Sequence, residues 1–438
     1  MLGAVETDFR NVGIIGDQSE ALLLSVLFAE AGVSSTLAGP FEPLSGRVYG
    51  SPLEQARRLL GLHMASRSIE VVNGPDSLRF STLRNIVLTA HVRDSQAVSS
   101  QERIIRTVSR SISRGTNIVI TGLCRPGYTA TVSSLIERMG GSDSGADFGL
   151  CYLPLLWDGE ALQAFRETPR ILASSNSETI ASVQELFLKL FPSLSSVTNT
   201  RAAEAAGLFV PVVREVSSAL QLELAGLCVG EGVDYYDALG LCRGTGLLVS
   251  GTRRMLASRG SIASEIAVSL GGNRSGPSLI RTARRVNLDL DRRIMVMVKG
   301  ALARCGLRVR HSRVAVLGLD GLGINSGLRP GSIGLLEALN RRGAIVSVYP
   351  GSTVGWTGDG VLGKRVSVER SIAKAVEKAQ CAVVALGGLE VGELNPHRIA
   401  AEMSRPAALC DLTGVLEASN VEKAGLFYAS LGRGSMEA

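Results

Sequence analysis

Near its start the chain passes from a short apolar run, Asn11–Ile15, through Gly16 into Glu20–Ala31, where apolar residues recur at helical spacing. Past Gly32 it enters another strand-like run, Ser35–Ala38. Strand, Gly, helix, strand is a βαβ opening, and it demands a parallel sheet with helices on both faces. Asn85–Ala90, Asn117–Thr121 and Arg170–Ala173 continue as strands, Gly140–Gly145 as a small polar loop, and Ser177–Phe191 as a helix stopped by Pro192. At Thr200 the period changes. Thr200–Val229 predicts one long helix with Leu208, Val212, Leu220, Leu224 and Leu227 apolar, interrupted by Gly207 and Pro211. Helical patterns continue to about Cys305 with no clear strand among them. At Arg313 the α/β alternation restarts. Val314–Leu319, Ala344–Tyr349, Ala382–Leu386 and Ala407–Asp411 read as strands, and Ile333–Arg342, Glu369–Gln380 and Arg398–Met403 as helices. The fold class is therefore α/β: two Rossmann-like doubly wound domains, 1–199 and 311–438, joined by a helical middle domain, 200–310.

A chain of 438 residues is too long for one core, which agrees with several domains. The longest apolar runs, such as Ala21–Ala29 and Cys381–Leu386, fall far short of the roughly 18 residues a membrane span needs. Met1–Arg10 carries Glu6 and Asp8, unlike a signal peptide, so a cytoplasmic location and no membrane partner are expected. The seven cysteines stand singly with no C-x-x-C, and the four histidines lie far apart, so neither a disulfide framework nor a metal site is expected. Net charge is +6, unevenly placed. From Arg253 to Arg313 there are 13 Arg plus Lys299 against Glu265, Asp289 and Asp291. Solvated helix faces paired to the acidic remainder would account for this. An anion-binding surface is the alternative.

Several strings, in order and at the right spacing, resemble the UDP-glucose/GDP-mannose dehydrogenase family. Ala203-Glu204-Ala205-Ala206, followed by Glu223–Cys228 and Gly232-Val233-Asp234, is similar to its central helix. Leu317-Gly318-Leu319 through Leu328-Arg329 is similar to its C-domain entry, and Arg342–Val346 to the strand that follows. Gly425–Tyr428 and Gly432-Arg433 are similar to its closing motif. The resemblance implies two-step oxidation of a nucleotide-sugar alcohol with NAD⁺, through a Cys thiohemiacetal assisted by a Lys, an Asn and an acid-bearing loop.

Carried over residue by residue, that chemistry fails. The family's Lys, three residues after the helix Glu, is Gly207, and its Asn is Pro211. The Gly-Gly pair ahead of its Cys is Gly271-Gly272, followed by Asn273-Arg274-Ser275-Gly276 with no thiol; the nearest upstream cysteine is Cys242. The Pro-Glu loop maps to Leu153-Pro154-Leu155-Leu156, the Ser-Thr before Pro126-Gly127 to Gly122-Leu123, and the C-domain Lys to Leu322. In the cofactor loop, Gly16-Asp17-Gln18-Ser19-Glu20-Ala21 keeps one glycine of G-x-G-x-x-G, and Gly39 stands for the ribose acid. Asp17 and Glu20 put carboxylates at a helix N-terminus, where a pyrophosphate would need cationic surroundings, and they also read as a capping box.

These substitutions leave no catalytic residue. The resemblance implies Gly13 and Gly16 as vestigial cofactor contacts and Arg329 and Arg274 as substrate contacts. An inactive family member is the expectation, binding no cofactor although the family uses NAD. It would act as a homodimer, or a heterodimer with an active paralogue, through the central helices. The alternatives are an active dehydrogenase with displaced groups such as Cys242, and an Arg-rich polyanion binder. A nucleotide-sugar or another anion is the small ligand the arginines suit. Aromatics at 4% argue against nucleic acid held by base stacking.

Overall fold

The computed structural model describes residues 11–16, 18–39, 51–89, 91–92, 95–140, 145, 147–156, 162–243, 262–270, 278–318, 331–351, 365–385 and 391–433. The chain divides into two compact units. One takes Met1–Pro43, Pro52–Val212 and Ile262–Gly276, the other Leu44–Ser51, Val213–Ser261 and Pro277–Ala438. Among the described residues no helix is long and apolar enough to cross a membrane.

The first unit is built on eight strands: β1 (Val12–Ile15), β2 (Ser35–Ala38), β3 (Ile69–Val72), β4 (Asn85–Leu88), β5 (Thr116–Ile120), β6 (Phe148–Tyr152), β7 (Arg170–Ala173) and β8 (Leu194–Val197). Their order is β3-β2-β1-β4-β5-β6-β7-β8. Strands β3 to β6 in that row are parallel, and β7 joins β6 antiparallel through Tyr152 and Ala173. The first six strands thus reproduce the doubly wound order whose reversal, between β1 and β4, opens a crevice at the carboxyl ends. Strands β1, β2, β4, β5 and β6 are buried along their whole length, as a sheet covered on both faces must be.

The second unit repeats the plan with β9 (Arg313–Leu317), β10 (Ile345–Tyr349), β11 (Val366–Val368), β12 (Cys381–Val384), β13 (Ala408–Asp411) and β14 (Phe427–Ser430), ordered β11-β10-β9-β12-β13-β14. All its pairings are parallel. Its core also takes in Leu222, Ala225, Tyr235, Ile294 and Val298 from the helices. The fold class expected from sequence is the one observed.

The outcome differs from expectation in three places. The segment Glu369–Gln380, expected as one helix, contains only the helix Ile372–Val376, capped by Ser371 Oγ on the Lys374 N–H, and it ends where Lys378 turns to φ +57°. The helix expected over Ser177–Phe191 ends at Leu188, with Phe191 buried beyond it. The long helix runs Thr200–Gly230 through Pro211, but its expected apolar stripe is divided. Leu208 and Val212 are buried and Leu224 packs on the core, whereas Leu220 and Leu227 are 56% and 66% exposed. At about 100° per residue, Leu220 and Leu227 fall about 120° and 100° round from Leu208, beside the exposed Phe209 and Val213 and away from the buried Glu204, Glu215 and Leu222.

One buried carboxylate organises the end of the second sheet. Asp411 Oδ1 accepts from the Thr413 N–H at 2.8 Å, the Thr413 hydroxyl at 2.9 Å and the Gly414 N–H at 2.9 Å. Its Oδ2 accepts from the Leu416 N–H at 2.9 Å and the Tyr428 hydroxyl at 3.2 Å. Arg433 then donates to the Leu416 carbonyl at 2.8 Å and pairs with Asp234 at 2.5 Å, tying the closing segment to the helix Tyr235–Arg243. Asp411→Asn turns an amide toward N–H donors and should cost about 2–4 kcal/mol, read as a lowered urea midpoint with unchanged m-value.

Candidate functional site

At the carboxyl ends of β1 and β4, where an open α/β sheet receives its ligand, Glu20 and His91 face each other. Glu20, in the first turn of the helix Gln18–Glu30, is 1% exposed, and its Oε1 lies 3.4 Å from His91 Nε2. His91 Nδ1 accepts the Leu123 N–H at 2.9 Å, which leaves the proton of the neutral ring on Nε2, the nitrogen nearer Glu20. The loops after β4 and β5 are locked together again by Val92 N–H to the Leu123 carbonyl at 2.8 Å. Glu20 thus reaches into the interior; Asp17, its partner in the expected capping box, lies outside the described residues.

A second carboxylate closes the neighbouring helix. Glu204, wholly buried, accepts the Gly127 N–H at 2.5 Å, the Thr129 N–H at 2.6 Å and the Thr129 hydroxyl at 2.5 Å. These donors open the helix Tyr128–Gly140. A helix N-terminus that would otherwise offer its free N–H groups to an anion is satisfied by the protein.

Between the carboxylates lies a buried tyrosine. Tyr152, at the end of β6, has a hydroxyl whose pKa is raised by burial and then by Cys124, Glu204 and Glu20. An ideal Cβ on Gly207 would lie 2.7 Å from that hydroxyl and 3.2 Å from Pro154 Cβ. A side chain at position 207 would therefore require Tyr152 or Pro154 to shift. Burial and Glu204 push the Cys124 thiol up, and burial takes Cys151 to about 12. Neither thiol is a nucleophile near neutral pH. Arg170 lies between the Phe165 and Phe191 rings, 4.6 and 4.7 Å from their centroids, and donates to the Leu156 and Phe165 carbonyls. Burial lowers its pKa to about 10, with Glu20 pulling it back up.

The residues expected at the site fare differently. Gly13 lies inside β1, and a Cβ there would meet Leu83 Cδ1 at 2.6 Å, so its open side faces packed core. Gly16 follows β1 at φ +129°, and Gly39 follows β2. Leu155, at the family's acid position, is buried. Cys242 is exposed on the helix Tyr235–Arg243. Arg274, Arg329, Leu322 and Gly271–Gly276 lie outside the described residues. Sequence reasoning missed His91, Cys124, Tyr152 and Arg170. Glu204 carried a signal, as the acid of the string Ala203-Glu204-Ala205-Ala206.

No family model matches the chain. A curated relative, UDP-N-acetyl-D-mannosamine dehydrogenase of Pyrococcus horikoshii, is 24% identical over 345 residues, 78% of this chain and 79% of its own. The solved structure of UDP-D-ManNAc dehydrogenase from that organism superimposes with a TM-score of 0.72 at 20% identity, covering 97% of this chain and all of that one. A UDP-glucose dehydrogenase from Pyrobaculum islandicum gives 0.73 at 16% identity, covering 99% and 100%. Over nearly its whole length the chain is similar in fold to nucleotide-sugar dehydrogenases. The solved structures show its fold; the sequence relative spans most of its length.

Beside the chains it resembles in fold, the cofactor end is built unusually. A pyrophosphate held within about 5 Å of the Glu20 carboxylate would meet a repulsion of about 3 kcal/mol at an effective dielectric of 20. A helix N-terminus returns about 0.3–1 kcal/mol. The repulsion wins, and the residues present do not fit NAD⁺. Gly207→Ala should lower stability by about 1–3 kcal/mol through overpacking, against a propensity gain of about 1 kcal/mol. Adding Tyr152→Phe removes the clashing hydroxyl and should recover most of the loss, read as coupling in a thermal double-mutant cycle.

Proposed function

We propose that this protein is a catalytically inactive nucleotide-sugar dehydrogenase relative that keeps the scaffold and works through assembly. The observation that carries this reading is the Tyr152 hydroxyl 2.7 Å from the ideal Cβ of Gly207. It fills the space a lysine side chain would need at position 207, where the resemblance implies the family's lysine. The substituted thiol, Asn and Glu positions, and the Glu20–His91 pair in the crevice, support the same conclusion. Losing single members of a catalytic unit costs factors of about 10³ or more. The purified chain should bind NAD⁺ no tighter than about millimolar and yield no NADH from UDP-glucose, UDP-N-acetylmannosamine or GDP-mannose. Isothermal titration and absorbance at 340 nm check both. Turnover that Cys242→Ser abolishes would instead establish a displaced nucleophile.

Assembly is carried by the exposed side of the long helix. Phe209, Val213, Leu220 and Leu227 are 64%, 58%, 56% and 66% exposed, and the last three recur every seven residues. Burying each against a partner stabilises by about 1.5–3 kcal/mol. The partner is a second copy of this chain, with an active paralogue as the outcome to be distinguished. Leu220→Asp with Leu227→Asp should convert a dimer to monomer in sedimentation velocity while leaving the far-ultraviolet spectrum unchanged. Leu224 is unsuitable for this test, because it packs on the core of its own unit. A wild-type chain that sediments as a monomer at micromolar concentration, with no paralogue recovered from its host, overturns the assembly role.

A further inference from the structure

Ligands of an open α/β sheet enter at the carboxyl ends of its strands. In the second unit the opposite end carries the charge. Arg308 and Arg310 lie in the loop before β9, Arg342 just before β10, and Arg365 just before β11; all four are exposed. The strand order β11-β10-β9 makes these three segments neighbours. They meet around the turn at Gly343, whose φ is +81°. An ideal Cβ there would lie 3.2 Å from Arg310 Cγ and 3.3 Å from Arg365 Nη1. Arg365 Nη1 donates to the Gly343 carbonyl at 3.4 Å, and Arg342 to the Ala338 carbonyl at 3.3 Å. Among the described residues none of the four is in an ion pair. The nearby acid on the β12 side, Glu377, is already held by Lys374 at 2.8 Å.

A helix carboxyl end attracts cations, which accounts for Arg342. It does not account for Arg308 and Arg310 on a loop, or for gathering like charges without an acid among them, which costs folding free energy. A protein partner would need an apolar or aromatic anchor at the centre. Here the centre is a glycine beside guanidinium groups; 305–318 and 337–346 contain no Phe, Tyr or Trp, and the one large apolar side chain exposed in them is Ile345, at 37%. Guanidinium groups suit phosphate, which they hold bidentately. We propose that this edge binds the phosphate backbone of nucleic acid through charge, without reading bases. Because stacking plays no part, the scarcity of aromatics does not weigh against it.

The test is fluorescence anisotropy of the full chain with a labelled 20-base-pair DNA duplex between 50 and 250 mM NaCl. Each phosphate contact contributes about 0.9 to the slope of log K against log salt. Arg310→Glu, Arg342→Glu and Arg365→Glu together should weaken binding at least tenfold and flatten the slope by about 2 to 3. Gln at the same positions should do so to a smaller extent. Arg281→Glu with Arg285→Glu, exposed on the helix Ser278–Leu288, should change affinity less than twofold. Absence of binding at 50 mM salt, or equal weakening by both sets, overturns the proposal. So does equal affinity for polyglutamate or anionic vesicles with the same dependence on the three arginines.

Discussion

A carboxylate buried at a helix N-terminus fixes the candidate site. Glu204 projects from the first turns of the long helix Thr200–Gly230 and takes both N–H groups and the hydroxyl that open the helix Tyr128–Gly140. An isolated buried carboxylate would be expensive, and three charge-assisted hydrogen bonds offset that cost. They hold the two helices in one register. That register sets Gly207, one turn further on, against Tyr152 and Pro154. The same feature that stabilises the unit therefore crowds any side chain at position 207.

The buried charges at this end are partnered within the protein. Glu20 faces His91 and, through space, the buried Arg170, whose guanidinium is held by two carbonyls and two aromatic rings. Active sites usually leave one titratable group poised near neutrality and a donor pointing at the reacting atom. Here burial holds Cys124, Cys151 and Tyr152 in their neutral forms, and the helix donors are already taken. The second unit shows the same economy at Asp411, where one carboxylate collects five donors.

Much of the fold was legible because its strands are short, apolar and bounded by glycine or proline, as in Asn11–Ile15, Arg170–Ala173 and Ala407–Asp411. Strands such as β8, Leu194–Val197, were not, since an edge strand with two serines has no apolar run to declare it. The losses at Gly207, Pro211 and Leu155 were legible as letters missing from a pattern. What took their place was not. Tyr152 and Glu204 act on residues about 50 and 75 positions away, and no local period records such a pairing.

The sequence by itself determined two α/β units, a helical stretch between their sheets, and which letters stand where the resemblance implies catalytic side chains. Backbone propensity and hydrophobic spacing are local properties, and a missing thiol or amine needs no geometry to be missing. Only the tertiary structure decided that Glu20 faces His91, that Tyr152 closes the space beside Gly207, and that Leu220 and Leu227 turn outward while Leu208 and Val212 turn in. Those outcomes depend on which loops the parallel crossovers bring to one end of a sheet, and on helical phase carried across several turns.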